Sequence, residues 1–199
     1  GVRLSGYSVY PNTTMVLYNS IYNNEFAGIN LQPGDTVYNI TPNDSGDGDS
    51  GANDLMNYPN ISSALAVNNS ISISGSIAGG LPNTQFLIQF FSTPTCDEGG
   101  HGEGQTYLGE TVQMTNGSGD VSFLAAYNVP VPDGHVITAT ATSGDKTSEF
   151  SECFPVSAGQ QLQGETPDDF TIIPNRNINC RYYCTAQSEI ADTLLEGVE

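Results

Sequence analysis

Positive charge is almost missing from this chain: Lys and Arg total 4 of 199 residues against 22 Asp and Glu, a formal net charge of −18. Arg3, Lys146, Arg176 and Arg181 are the only cationic side chains. There is no basic patch to neutralise phosphates, and nucleic acid is excluded as a partner. Tryptophan is absent and histidine occurs twice, as His101 and His135. Two histidines offer little for a triad, and no G-x-S-x-G, H-E-x-x-H, Walker or dinucleotide-binding motif occurs. The chain is therefore expected to be non-catalytic. No apolar run approaches the roughly 18–20 residues that cross a bilayer, so no membrane span is expected. Gly1 follows no initiator methionine and no signal-peptide pattern is visible, so the expectation is a processed product or a piece of a longer polypeptide.

What is plentiful is oxygen. Thr41–Asn57 reads TPNDSGDGDSGANDLMN, a run that favours neither helix nor strand. Asp44, Asp47, Asp49, Asn53, Asp54 and Asn57 supply hard oxygen donors, and the interspersed glycines let the backbone turn tightly. Asp47-x-Asp49-x-Gly51-x-Asn53 resembles a calcium loop in part, lacking the bidentate Glu at its twelfth position. The expectation is a Ca2+-organised junction, with a solvated acidic linker as the alternative. Asp44, Asp47, Asp49 and Asn53 are expected to set rigidity there.

The junction separates unlike segments. Residues 1–40 carry an Asn-rich pattern, Asn19–Asn24 followed by Gly28–Leu31, of the kind that stacks coils in a right-handed parallel β-helix. Val9–Tyr10 and Met15–Tyr18 look like further strands, and an edge hairpin is the plainer alternative. Residues 41–61 form the junction. Residues 62–156 read as an all-β sandwich with strands at Ala66–Ile77, Gln85–Ser92, Thr106–Thr115, Val121–Tyr127, His135–Thr142 and Thr147–Val156. Their spacing points to an immunoglobulin-like Greek key. Residues 157–199 are a polar linker and tail, with a short strand at Phe170–Ile173 and an amphipathic helix over Ala186–Leu195.

Four cysteines, Cys96, Cys153, Cys180 and Cys184, sit in a Lys-poor, Asn/Gly/Thr-rich chain of extracellular style. The expected pairing joins Cys96 to Cys153 and Cys180 to Cys184, one of three connectivities. A metal site is the rival, but a lone C-x3-C without nearby His is weak evidence for zinc. Asp97–Gln105, with His101 and four glycines, could position an acid and a base. Its more ordinary reading is a long surface hairpin pinned by Cys96, because catalysis needs fixed geometry. Ten tyrosines are scattered along the chain, so glycans enter as a partner class only if the fold gathers these rings. Six Asn-x-Ser/Thr sequons begin at Asn12, Asn39, Asn43, Asn60, Asn68 and Asn116.

Two stretches carry a family resemblance. Ile137–Ser151, ITATATSGDKTSEFS, resembles the last hairpin of bacterial immunoglobulin-like domains of cell-surface proteins. The order of the coil NSIYNN, the run TPNDSGDGDSGANDLMNYP and the segment FLIQFFSTPTCDEGGHGEGQTYLG resembles the C-terminal modules of large secreted bacterial β-helix proteins. The resemblance spans roughly residues 19–156 and implies location and architecture rather than activity. It also implies a structural pair at Cys96 and Cys153. The expected role is thus a calcium-stabilised extracellular or cell-surface module whose partners are other copies or other chains of a surface assembly. Two alternatives are a filament subunit joined by strand addition and the C-terminal remnant of a polysaccharide-degrading β-helix enzyme.

Overall fold

The computed structural model describes residues 1–5, 13–32 and 40–159. They fall within one compact unit, Gly1–Gln161; the second unit, Leu162–Glu199, lies outside the described residues, and with it the expected strand at Phe170–Ile173, the expected helix and both tail cysteines. Among the described residues there are eleven strands: β1 Val2–Ser5, β2 Ile29–Gln32, β3 Asn60–Val67, β4 Ser70–Ile77, β5 Gln85–Thr93, β6 Thr106–Met114, β7 Val121–Tyr127, β8 Val136–Ser143, β9 Lys146–Thr147, β10 Phe154–Pro155 and β11 Ser157–Ala158. The described residues are all-β, with one 3-10 turn at Ala52–Leu55.

Two sheets form the sandwich, β11-β3-β4-β7 and β10-β8-β5-β6, the latter with β9 added beside β8. Alternation explains the packing. Ile71, Ile73 and Ile77 of β4, Phe86, Ile88 and Phe90 of β5, and Ile137, Ala139 and Ala141 of β8 point inward and form one core with Leu108 and Phe123. The serines between the β4 isoleucines stay half-exposed, as a one-sided sheet requires. The five-stranded sheet differs: β8 is buried at six consecutive positions, Ile137–Thr142. Two of its outward threonines are held from outside, Thr138 donating to Glu103 O at 2.8 Å and Thr142 meeting the Thr147 hydroxyl at 2.9 Å, and residues 13–31 with the junction form a third layer over this side of the sheet. A second core, of Val16, Ile29, Leu31, Ala52, Leu55, Phe91 and Phe150, lies between that layer and the sheet.

Three expectations need correction. The run from Ala66 to Ile77 is broken, because Asn68 at φ 55 turns the chain and makes β3 and β4 a hairpin. Thr147–Val156 is not a strand either. After β9, Ser148 and Ser151 keep two bonds each to β8: their backbone N–H groups donate to Ala141 and Ala139 carbonyls, and their hydroxyls accept from the Ala141 and Ala139 N–H at 2.9 Å. Hydroxyl oxygens thereby replace main-chain carbonyls, and Glu149 and Phe150 bulge outward into the second core.

The third correction concerns the coils. Among the described residues there is no solenoid and no closed or coiled sheet, only the parallel pair β1–β2, in register from Val2↔Ile29 to Ser5↔Gln32. Val9–Tyr10 lies outside the described residues. Met15–Tyr18 is not a strand, because side chains of the sandwich take its N–H groups: Val16 N–H donates to Thr147 Oγ1 at 2.9 Å and Tyr18 N–H to Gln89 Oε1 at 3.3 Å.

Candidate functional site

The acidic junction is ordered by its amides more than by its carboxylates. Asn43 and Asn57 each do what a paired strand would do, one on each side of the loop. Asn43 accepts from Tyr58 N–H at 2.9 Å and donates to Tyr58 O at 2.8 Å. Asn57 accepts from Asp44 N–H at 3.0 Å and donates to Asp44 O at 2.8 Å, with further contacts to Ala78 O and Gly79 O. Asn53, fully buried, accepts from Thr14 N–H at 2.7 Å and donates to Thr14 O and Thr147 O. These bonds hold Asn53, Asp54 and Leu55 at φ of 49, 54 and 53, a left-handed run that costs about 1–2 kcal/mol per residue.

The six residues expected to hold calcium are thus divided. Asp44, Asp47 and Asn57 meet: Asp47 Oδ1 accepts Asn57 N–H at 2.9 Å. Asp49 is exposed. Asn53 faces Thr14 and Thr147, and Asp54 forms an ion pair with Lys146. Among the described residues, no group of three or more His, Cys, Asp or Glu side chains is arranged to hold a metal. Burial pushes the Asp47 carboxyl up from its ordinary range, and the nearby charges of Asp44, Asp54 and Asp49 add to this against the Asn57 bond.

The glycine-rich segment is not a surface hairpin throughout, for Gly102, Glu103 and Gly104 are buried. Gly104 exchanges both backbone bonds with Ile21 at 2.8 Å, and a Cβ there would fall 2.9 Å from both Phe150 and Phe91. Only glycine lets the segment lie this close to the second core. Glu103 accepts from Asn24 N–H at 3.2 Å and from the Asn24 side-chain amide at 2.5 Å. His101 Nδ1 bonds Phe150 O at 3.1 Å, and its ring packs edge-on against Tyr58. Burial, then the charge of Glu103, raises the pKa of Asp97. Cys96 and Cys153 are bonded as expected, Cα to Cα 6.0 Å, fastening this segment near β10.

Two arrangements escaped the reading of the sequence. Glu149, 2% exposed, accepts from Leu31 N–H and Thr41 N–H, each at 2.8 Å, and so holds β2 and the start of the junction together. Burial pushes its pKa up to about 7, against the pull of both N–H groups. Tyr18 and Tyr107, far apart in sequence, meet at Glu110, where burial and then the hydrogen bond to that carboxylate push the Tyr107 phenol up to about 12.

No family model matches the chain. Among solved structures it is similar to the CARDB domain of the PF1109 protein from Pyrococcus furiosus, determined in complex with di-metal ions, at a TM-score of 0.28 and 11% identity. That match covers 61% of this chain and 100% of the other.

Proposed function

We propose that this chain is a non-catalytic, extracellular structural module of a larger surface or secreted assembly: an immunoglobulin-like sandwich bearing the end of a parallel β-helix on one face. The carrying observation is the second core with its polar fastenings. Glu149, Asn53 and Glu103 each spend their side chain on the backbone of the N-terminal layer, so the parallel β1–β2 pair is presented by a rigid support. β1 and β2 run parallel and in register, and this pairing supports reading them as one coil beside the next. The order of the sandwich strands supports the immunoglobulin-like reading, and the Cys96–Cys153 bond supports an oxidising compartment.

Incubation with acidic and neutral polysaccharides tests the non-catalytic part. No shortened product is expected; product formation that Glu103→Gln abolishes would overturn it. Filament formation is a second reading, favoured by β1 and β2 pairing only with each other among the described residues. Electron microscopy of the purified chain decides it, monodisperse particles counting against growth by strand addition.

Calcium belongs to this proposal through Asp44 and Asp47, the two aspartates that Asn57 brings together, since a cation would relieve the repulsion felt by buried Asp47. Melting with calcium and with chelator is expected to give a higher midpoint in calcium. Identical midpoints remove the ion from the account and leave the amides to hold the junction alone.

A further inference from the structure

We infer that Tyr18, Tyr107 and Glu110 form a binding site for a neutral polysaccharide on the outer face of the five-stranded sheet. The site originates in an irregularity of β6. Tyr107 and Glu110 are three residues apart and would face opposite sides of an unbroken strand. The register passes from Phe90↔Gly109 to Phe91↔Tyr107, so Leu108 is an extra residue, and it turns into the sandwich core. Such a bulge re-aims its neighbours. Tyr107 and Glu110 come to the same face, and the Tyr107 hydroxyl donates to Glu110 Oε2 at 3.1 Å. Gly109 permits this, since a Cβ there would lie 2.2 Å from the Tyr127 ring.

Tyr18 comes from the third layer. Its hydroxyl donates to Glu110 Oε1 at 3.2 Å, and its ring meets Tyr107 edge to face, centroids 5.9 Å apart. It sits at φ 57, a conformation that bulky residues avoid, yet it is 62% exposed and Tyr107 is 40% exposed. Core packing does not account for a strained residue that is mostly in solvent, and strain of this kind gathers at ligand sites.

The chemistry selects the ligand. Glu110 already accepts from the Tyr18 and Tyr107 hydroxyls and from Gln89 Nε2 at 3.1 Å. It therefore fixes the rings and is poorly placed as a free counter-charge for a basic side chain. An anionic chain is repelled by a net charge of −18. What stays open is aromatic surface edged by hydroxyl and carboxylate oxygens, which suits the C–H face of a pyranose whose own hydroxyls bond at the rim. Val112 and Met114, 52% and 61% exposed, continue the apolar strip along the same face of β6, so the site is extended and suits a chain of sugars.

Affinity electrophoresis and calorimetry of the full chain with a neutral glucan, a neutral mannan, a neutral galactan, anionic alginate and a lysine-rich peptide test the assignment. Binding of at least one neutral polymer is expected, unaffected by salt. It should weaken at least about tenfold in Tyr18→Ala and in Tyr107→Ala and stay near wild type in Tyr107→Phe. Should Tyr18→Ala lower the melting midpoint, Tyr18→Phe and Tyr107→Ala decide instead. Failure of all three neutral polymers to bind overturns the proposal. So does binding that survives both alanine variants, or a preference for the peptide that salt abolishes.

Discussion

The two cores of this protein are held by different physics. The inner one, between the sheets, is built from Ile, Phe and Ala side chains with their polar backbone paired in ladders, so its cohesion follows from apolar area and is non-directional. The outer one has seven buried hydrophobic residues and is surrounded by Asn53, Glu103, Glu149, Gln89 and Thr147, each accepting from or donating to the backbone of the N-terminal layer. Directional bonds of this kind add little when formed but cost much when one partner is removed. The difference teaches that the sandwich should tolerate changes of pH and salt, whereas the third layer should respond to single polar substitutions.

The largest effect is expected in the inner core. Phe90→Ala should lower the unfolding free energy by about 3–5 kcal/mol, read in urea melts, with protection of both layers lost together. If the third layer stayed protected while the sandwich opened, the comparison would be broken, because that layer needs the sheet beneath it. Asn53→Ala comes next. It removes three bonds to Thr14 and Thr147 from a left-handed segment, at a cost of about 2–4 kcal/mol. Hydrogen exchange should show faster opening around residues 14–18 with the β4 and β5 amides unchanged.

Glu149 gives the comparison a pH axis. Its folded pKa of about 7 lies above the ordinary 4.5, so the folded chain binds that proton more tightly than the unfolded chain does. The contribution is most favourable below about pH 4.5, declines as pH rises towards 7 and is level above that, an amount on the order of 1–3 kcal/mol. In urea melts over that range, the stability of wild type relative to Glu149→Gln should therefore fall as pH rises. A difference that stayed constant would mean the carboxyl carries no raised pKa. The smallest effect is expected at the Lys146–Asp54 pair, whose side chains are 27% and 52% exposed. Lys146→Ala should cost below about 1 kcal/mol and lose even that in high salt.

Much of the sandwich was legible because its strands alternate. Ser-Ile-Ser-Ile in β4 and Ala-Thr-Ala-Thr in β8 state their period directly, and Val121–Tyr127 has the expected ends. The third layer was not legible, for two reasons. Its backbone bonds go to side chains of residues distant in sequence, as Tyr18 N–H goes to Gln89, and no local pattern announces such a partner. The buried threonines of β8 also look like the solvent side of a sheet until something covers them. Asn43, Asn53 and Asn57 illustrate the same difficulty at the junction. The oxygens of Asn53 and Asn57 were read as donors to an ion, and the structure gives the amides of all three to backbone groups on neighbouring segments.

The sequence by itself determined the all-β class, the inward stripes of the sandwich, the strongly negative charge, and an acidic loop rich in oxygen. These follow from composition and short-range periodicity, which are properties of neighbouring residues. Tertiary structure alone decided that β8 of the five-stranded sheet is buried on both faces, that a bulge at Leu108 turns Tyr107 and Glu110 to one side, and that Tyr18 meets them there. Each of these depends on which distant segment supplies the missing hydrogen bond or covers the exposed ring, and chain connectivity does not encode that locally.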